Sequence, residues 1–283
     1  MRHRSVSLVD VHCGYPGRGP VLRGAALHIP AGGRLALLGA NGSGKSTLLR
    51  CLSGALRPSP GRVEVDGVAV AYGRRGLTAH RQVVQLVTQD PDDQLFSASV
   101  RADISFGPVN LRLPGSEVAE RVEHCLDLLA LRHLADRPTH HLSYGERKRV
   151  AIAGAYAMRP CVLALDEPTA GLDPQAVRET LAALDRLHRD HTTLVIATHD
   201  VALALAWADS IAVVVDGRIR HGDPVEVLED TDLVARARLE RPWVLAVAER
   251  LRRLGLCAPG FRPRTETDLV AVLDALGGAP APS

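Results

Sequence analysis

The stretch GANGSGKST, residues 39–47, constrains this chain more than any other. It matches G-x-x-x-x-G-K-[ST], with Gly39, Gly44, Lys45 and Ser46 at the fixed positions. Glycines let the backbone curl until successive N–H groups point at one anion. A helix that follows adds its positive end. The mechanism therefore requires a strand before the loop and a helix after it. Both are legible: GGRLALLG is an apolar run ending at the loop, and residues 47–55 continue as a helix. Composition sharpens the point, because only two of the 34 Lys and Arg residues are lysines, Lys45 and Lys148. A lysine at the one place the motif demands it is not an accident of composition. The reading is a nucleotide site. The loop Gly39, Ala40, Asn41, Gly42, Ser43, Gly44, Lys45, Ser46 and Thr47 cradles phosphates, Lys45 reaches the β and γ phosphates, and Ser46 gives an oxygen to Mg2+.

The rest of the chain reads as α/β. Residues 6–15 and 21–29 are strands around a PGRGP turn, and GRVEVDGVAV alternates like a half-exposed hairpin. VVQLVTQ, CVLALD, TTLVIATH and SIAVVVDG are apolar strands, and helices are expected at 174–189 and 201–208. Buried strands alternating with helices predict a mixed, mainly parallel sheet. A helical insertion interrupts it at 99–158, where Val118, Val122, Leu126 and Leu129 fall at near-helical spacing. The expected division is a nucleotide-binding domain over 1–238 and a helical extension over 239–283. The extension holds two short helices around a Pro-rich link and a disordered APAPS tail.

Several classes of function are disfavoured. The formal net charge is +2, which gives no electrostatic reason for a nucleic-acid partner. Five scattered cysteines without a Cys-x-x-Cys pair fit a reducing compartment and no structural zinc. No apolar run opens the chain and no 18-residue apolar span occurs, so the chain is expected not to cross a membrane.

Three strands end in polar residues. VLALDEP closes on Asp166 and Glu167, a costly pair at the end of a buried strand unless it binds something. Ligands of parallel sheets sit beyond the carboxyl ends of strands. Asp166 then suits Mg2+, and Glu167 suits a general base for water attacking the γ phosphate. The bland alternative is a helix N-cap. Gln89 and His199 close two other strands. A Gln can orient water or touch Mg2+, and a His can bond a γ phosphate. Taken alone, each is more often a structural polar residue at a strand end; their shared location at the carboxyl edge is what raises them.

LSYGE, residues 142–146, is a second helix start. Ser143 and Glu146 fit the S-x-x-E capping box, which needs no ligand at all. Taken with GANGSGKST, Gln89, LALDEPTAGLD and His199, in that order, it gives residues 5–238 a resemblance to the ATP-binding cassette ATPases. The resemblance implies a P-loop NTPase fold with an N-terminal antiparallel β subdomain and a helical signature subdomain. It implies two cassettes packed head to tail, each ATP held between the P-loop of one and the signature loop of the other. Tyr15 resembles the residue that stacks on adenine. Ser143 and Gly145 resemble the signature residues that meet the opposite ATP. Glu167 resembles the base, Asp173 the loop aspartate that crosses the dimer, Gln89 the lid glutamine, and His199 the switch histidine. Tyr144 departs from the family, which usually has Gly there.

QDPDDQLF and RKRVAIAGAYAMRP are similar to the energy-coupling factor ATPases, especially the cobalt and nickel import group. That implies an enzyme on the cytoplasmic face of the membrane, using ATP and Mg2+. Its implied partners are a second ATPase subunit (identical or paralogous), a T-type membrane subunit docked beside the lid loop, and a separate substrate-capture component, with no nucleic acid. The acidic Asp92 and Asp93 would suit basic coupling helices. The extension after 239 resembles an appendage that strengthens the dimer. An ATPase of another importer or an exporter is the alternative; a non-transport cassette ATPase fits less well.

Overall fold

The computed structural model describes residues 4–17 and 19–277; the expected APAPS tail lies outside them. A six-stranded sheet forms the centre: β3 (Arg34–Leu38), β6 (Val84–Val87), β7 (Val162–Asp166), β8 (Thr193–Thr198), β9 (Ser210–Val215) and β10 (Arg218–Gly222). The spatial order is β10-β9-β3-β8-β7-β6. All neighbours are parallel except β10, which runs antiparallel to β9. A second, antiparallel sheet has the order β2-β1-β4-β5, from β1 (Val6–Gly14), β2 (Pro20–Ile29), β4 (Arg62–Val65) and β5 (Val68–Ala69).

The strand period explains the layering. Successive side chains of a strand point to opposite faces. Leu35 and Leu37 of β3 join one core with Ala164 of β7 and Val195 of β8, while Ala36 and Leu38 join another with Leu163 and Ile196. Because both faces are covered, these strands read as unbroken apolar runs. The first core is closed by the antiparallel sheet (Val6, Leu8, Leu22, Ile29) and by Leu48, Leu49 and Leu52 of α1 (Lys45–Leu52). The second is closed by the helices between residues 100 and 236.

After α1 come α2 (Arg74–Val83), whose Val83 packs on the first core, then α3 (Val100–Asn110), α4 (Gly115–Leu128), α5 (Tyr144–Tyr156), α6 (Pro174–Arg189), α7 (Val201–Trp207), α8 (Pro224–Glu229) and α9 (Thr231–Arg236). Their starts follow local chemistry. Asp173 caps α6, accepting from the Ala176 N–H, with Pro174 at the first helical position. Asp200 caps α7 in the same way through Leu203. Beyond residue 239 come α10 (Trp243–Arg253) and α11 (Glu266–Gly277). They share the second core: Leu245, Leu251 and Leu269 are buried in it. Arg264 stitches the link onto α7 by donating from Nε to the Leu205 carbonyl at 2.8 Å.

Four elements escaped the sequence reading: α2, β10, α8 and α9. Among the described residues, no helix is long and apolar enough to cross a membrane.

Candidate active site

The loop 39–44 runs between β3 and α1, beyond the carboxyl end of a central strand. Gly39 has φ 153°, and a Cβ there would sit 2.5 Å from Ser43 Oγ and 2.8 Å from the Val214 carbonyl oxygen. Gly44 precedes α1 with φ 113°, where a side chain is strained and a Cβ would meet Val21 at 2.9 Å. No described side chain caps α1, in contrast to α6 and α7. Its first amides are therefore available to an anion.

A cleft of about 440 Å³ opens over this loop. Ala40, Asn41, Gly42, Gly44, Lys45, Ser46 and Thr47 line one side, and Tyr15, Gln89, Asp166 and Glu167 line the rest. Residues far apart in sequence thus converge because their strands end on one edge. Tyr15 follows β1, and its hydroxyl lies 3.3 Å from Thr47 Oγ1 and accepts from Arg50 at 3.2 Å. Lys45 is buried; its Nζ donates to the Gly39 carbonyl at 2.7 Å and lies 3.7 Å from Glu167 Oε1. Its ammonium therefore sits at the mouth of its own loop, where phosphate oxygens would enter. Ser43 is partly buried within the loop, and its Oγ has no hydrogen-bond partner among the described residues. The Ser46 hydroxyl hydrogen-bonds to Asp166. Burial pushes the Asp166 carboxyl up, and the Ser46 bond opposes that.

Glu167 is the most constrained residue here. It is 7% exposed and has φ 47°, a left-handed conformation that costs a non-glycine residue roughly 1–2 kcal/mol. Its N–H donates to the Ala197 carbonyl of β8 at 2.9 Å. Its carboxylate lies 3.0 and 3.1 Å from His199 Nδ1, just past the end of β8. The carboxylate thus has both an ammonium and an imidazole close to its Oε1, at 3.7 and 3.0 Å.

Ser143, Gly145 and Asp173 do not line this cleft. Ser143 forms the complete capping box, with Oγ accepting from the Glu146 N–H at 3.3 Å and its own N–H donating to Glu146 Oε2 at 2.7 Å. The bland reading of LSYGE is thus realised within the chain. Gly145 lets α5 approach α6: a Cβ there would come 3.1 Å from Ala176 Cβ. The ring of Tyr144 lies against Gly171, whose Cβ would be 3.3 Å from it.

One residue was missed. Lys148, on α5, is 4% exposed and donates from Nζ to the Glu167 carbonyl at 2.8 Å and the Ala170 carbonyl at 2.9 Å. Its ammonium also lies 5.3 Å from the centre of the Tyr144 ring. Burial pushes it down to about 8, against the pull of the Glu167, Asp90 and Asp166 carboxylates. The signal was present in the sequence: it is one of two lysines in an arginine-rich chain.

Strand-ended phosphate loop, buried carboxylate and facing histidine define a P-loop ATPase. The comparisons narrow this. The ABC transporter family matches residues 22–170. The energy-coupling factor transporter ATP-binding protein EcfA2 of Methanospirillum hungatei is 43% identical over 95% of this chain and 68% of its own length. The cobalt import ATP-binding protein CbiO of Rhodobacter capsulatus is 48% identical over 91% of this chain and 92% of its own. The solved structure of cbiO1 from Clostridium perfringens, described as part of the ABC transporter complex cbiONQ, superposes with TM-score 0.75. It is 40% identical and covers 88% of this chain and all of its own. The chain belongs to the ABC transporter family, as an ATP-hydrolysing, energising subunit of the energy-coupling factor type.

The contact between His199 and Glu167 yields a first prediction. A hydrogen bond to a charged group is worth about 1.5–3 kcal/mol. His199→Ala should therefore slow ATP turnover roughly 10- to 150-fold, with ATP affinity little changed. Steady-state ATPase assays beside nucleotide titrations measure both; an unaltered rate removes the histidine from the mechanism.

Proposed function

We propose that the chain works as one half of an ATP-gated pair at the cytoplasmic face of the membrane, driving import through a T-type subunit. The observation that carries this reading is the separation of Ser143, Gly145 and Asp173 from the cleft of their own chain. A second copy, or a paralogue, placed head to tail would bring its Ser143 and Gly145 to the ATP held here, and its Asp173 across the interface. Two incomplete sites become two complete ones, so the pair closes on ATP and loosens on hydrolysis. The C-terminal helices α10 and α11 add to that pair.

Within each site, Tyr15 stacks on adenine and residues 39–47 hold the phosphates. The Ser46 hydroxyl, with Asp166 and Gln89 beside it, would hold Mg2+, which would supply charge neutralisation at the phosphates. The oxygen donors suit it: this cation needs one or two protein oxygens and takes the rest from phosphates and water. Glu167 takes the proton of the attacking water, and His199 holds that carboxylate in place.

The membrane subunit docks beside Gln94 and Leu95, where Phe96 and Phe106 meet edge-on at 4.5 Å and stay exposed over a groove floored by Val150 and Met158. The two rings offer an apolar anchor there, while Asp93 stays exposed beside Asp92, which pairs with Arg147 at 3.0 Å, and suits a basic coupling helix. The name of the Rhodobacter relative supports cobalt as the solute, with nickel the close alternative.

The test uses hydrolysis-deficient Glu167→Gln protein. With Mg-ATP it should run as a dimer in size-exclusion chromatography with light scattering, either alone or with a co-expressed paralogue. It should also co-purify with the T-type membrane subunit. A protein that stays monomeric in every combination ends this reading.

A further inference from the structure

We infer that Lys148 is a positioning residue for ATP hydrolysis: its ammonium clamps the backbone of Glu167 in the left-handed conformation that aims the carboxylate at His199. Glu167 is held at both ends of its own peptide units. Its N–H donates to the Ala197 carbonyl at 2.9 Å, and its own carbonyl accepts from Lys148 at 2.8 Å and, less closely, from the Ala170 N–H at 3.2 Å. A residue at φ 47° relaxes toward negative φ unless its surroundings over-determine it. Removing Lys148 leaves that carbonyl only the longer bond from Ala170, itself no longer tied to the ammonium, so the Glu167–Pro168 peptide is free to shift and the carboxylate shifts with it. The same ammonium binds the Ala170 carbonyl at 2.9 Å, so it fastens the whole segment leading to Asp173.

The position of the clamp matters as much as its contacts. Lys148 lies on α5, one turn past Ser143 and Gly145. The helix whose start is proposed to meet the partner's ATP is thus bolted to the loop that carries the chain's own carboxylate. Tyr144 covers the bolt: its ring lies against Gly171 and 5.3 Å from the Lys148 ammonium. A displacement of α5 on engaging the opposite nucleotide passes directly to the Glu167 backbone. A buried lysine whose hydrogen bonds go to two carbonyls of one loop is a costly way to fill space, which an apolar side chain would fill with less desolvation.

The inference rests on Glu167 being the base, and the test keeps the two apart. Lys148→Met should lower kcat roughly 10- to 150-fold, the range of a lost hydrogen bond to a charged group. The KM and Kd for ATP and the melting temperature should stay close to those of the parent. Lys148→Arg, which keeps a cation with several donors, should recover most of the rate. Should Lys148→Met aggregate, Lys148→Gln replaces it under the same readouts, since its amide is too short to reach both carbonyls. An unchanged kcat in Lys148→Met beside an inactive Glu167→Gln overturns the clamp and leaves the base standing. A loss of kcat matched by an equal loss of ATP affinity, or no recovery with arginine, also overturns it. A fully active Glu167→Gln sinks the base itself.

Discussion

Glu167→Gln is expected to bind ATP as the parent does and to hydrolyse it roughly 10²- to 10⁴-fold more slowly. That range corresponds to about 3–5.5 kcal/mol of lost transition-state stabilisation. The substitution is nearly isosteric, so the packing of a 9% exposed side chain survives it. The amide can still take a hydrogen bond from His199 Nδ1, at 3.0 Å from the present carboxylate oxygen. What it cannot do is accept the proton of an attacking water. Binding and turnover therefore separate, and single-turnover measurements with labelled ATP read the difference. Parent-like turnover would falsify the assignment of Glu167 as base.

Lys45→Ala should act on binding instead. Its ammonium is buried, donates to the Gly39 carbonyl at 2.7 Å and lies 3.7 Å from Glu167. Truncating one partner of a buried, hydrogen-bonded charge pair costs about 2–5 kcal/mol, a roughly 30- to 5000-fold weaker Kd. Two losses add: the phosphates lose their cation, and Glu167 keeps its buried charge without the nearest opposing one. Titration with a fluorescent nucleotide measures the affinity, and circular dichroism confirms that the loop change has not unfolded the sheet. Affinity within a factor of about two of the parent would detach Lys45 from the phosphates.

The two substitutions report on parts of the site with different legibility. The loop 39–47 was readable because its chemistry is local. A strand, a run of glycines and a helix start within nine residues leave little for distant sequence to decide. The same holds for the helix that starts at Pro174, and for the capping box at Ser143 and Glu146. The central strands were readable because both their faces are buried, which leaves an uninterrupted apolar run. The missed elements lack those signals. In α2, His80 is the buried residue, so no apolar stripe marks the helix. Strand β10 lies at the edge of its sheet with most side chains in or near solvent. Helices α8 and α9 have six residues each, too few for a helical period of about 3.6 residues to repeat twice.

The sequence by itself determined the phosphate loop, the strand-helix alternation and the residue types that stand at strand ends. It could not determine which of those ends would meet. That depends on the order β3-β8-β7, which puts the ends of three strands distant in sequence side by side. Only there does His199 come 3.0 Å from Glu167, 32 residues away, and Lys148 reach the Glu167 carbonyl across 19. The physical reason is range. Backbone propensity, capping and burial periodicity act over a few residues, whereas the strained carboxylate and its clamp exist only once packing has brought three separate segments into hydrogen-bonding distance.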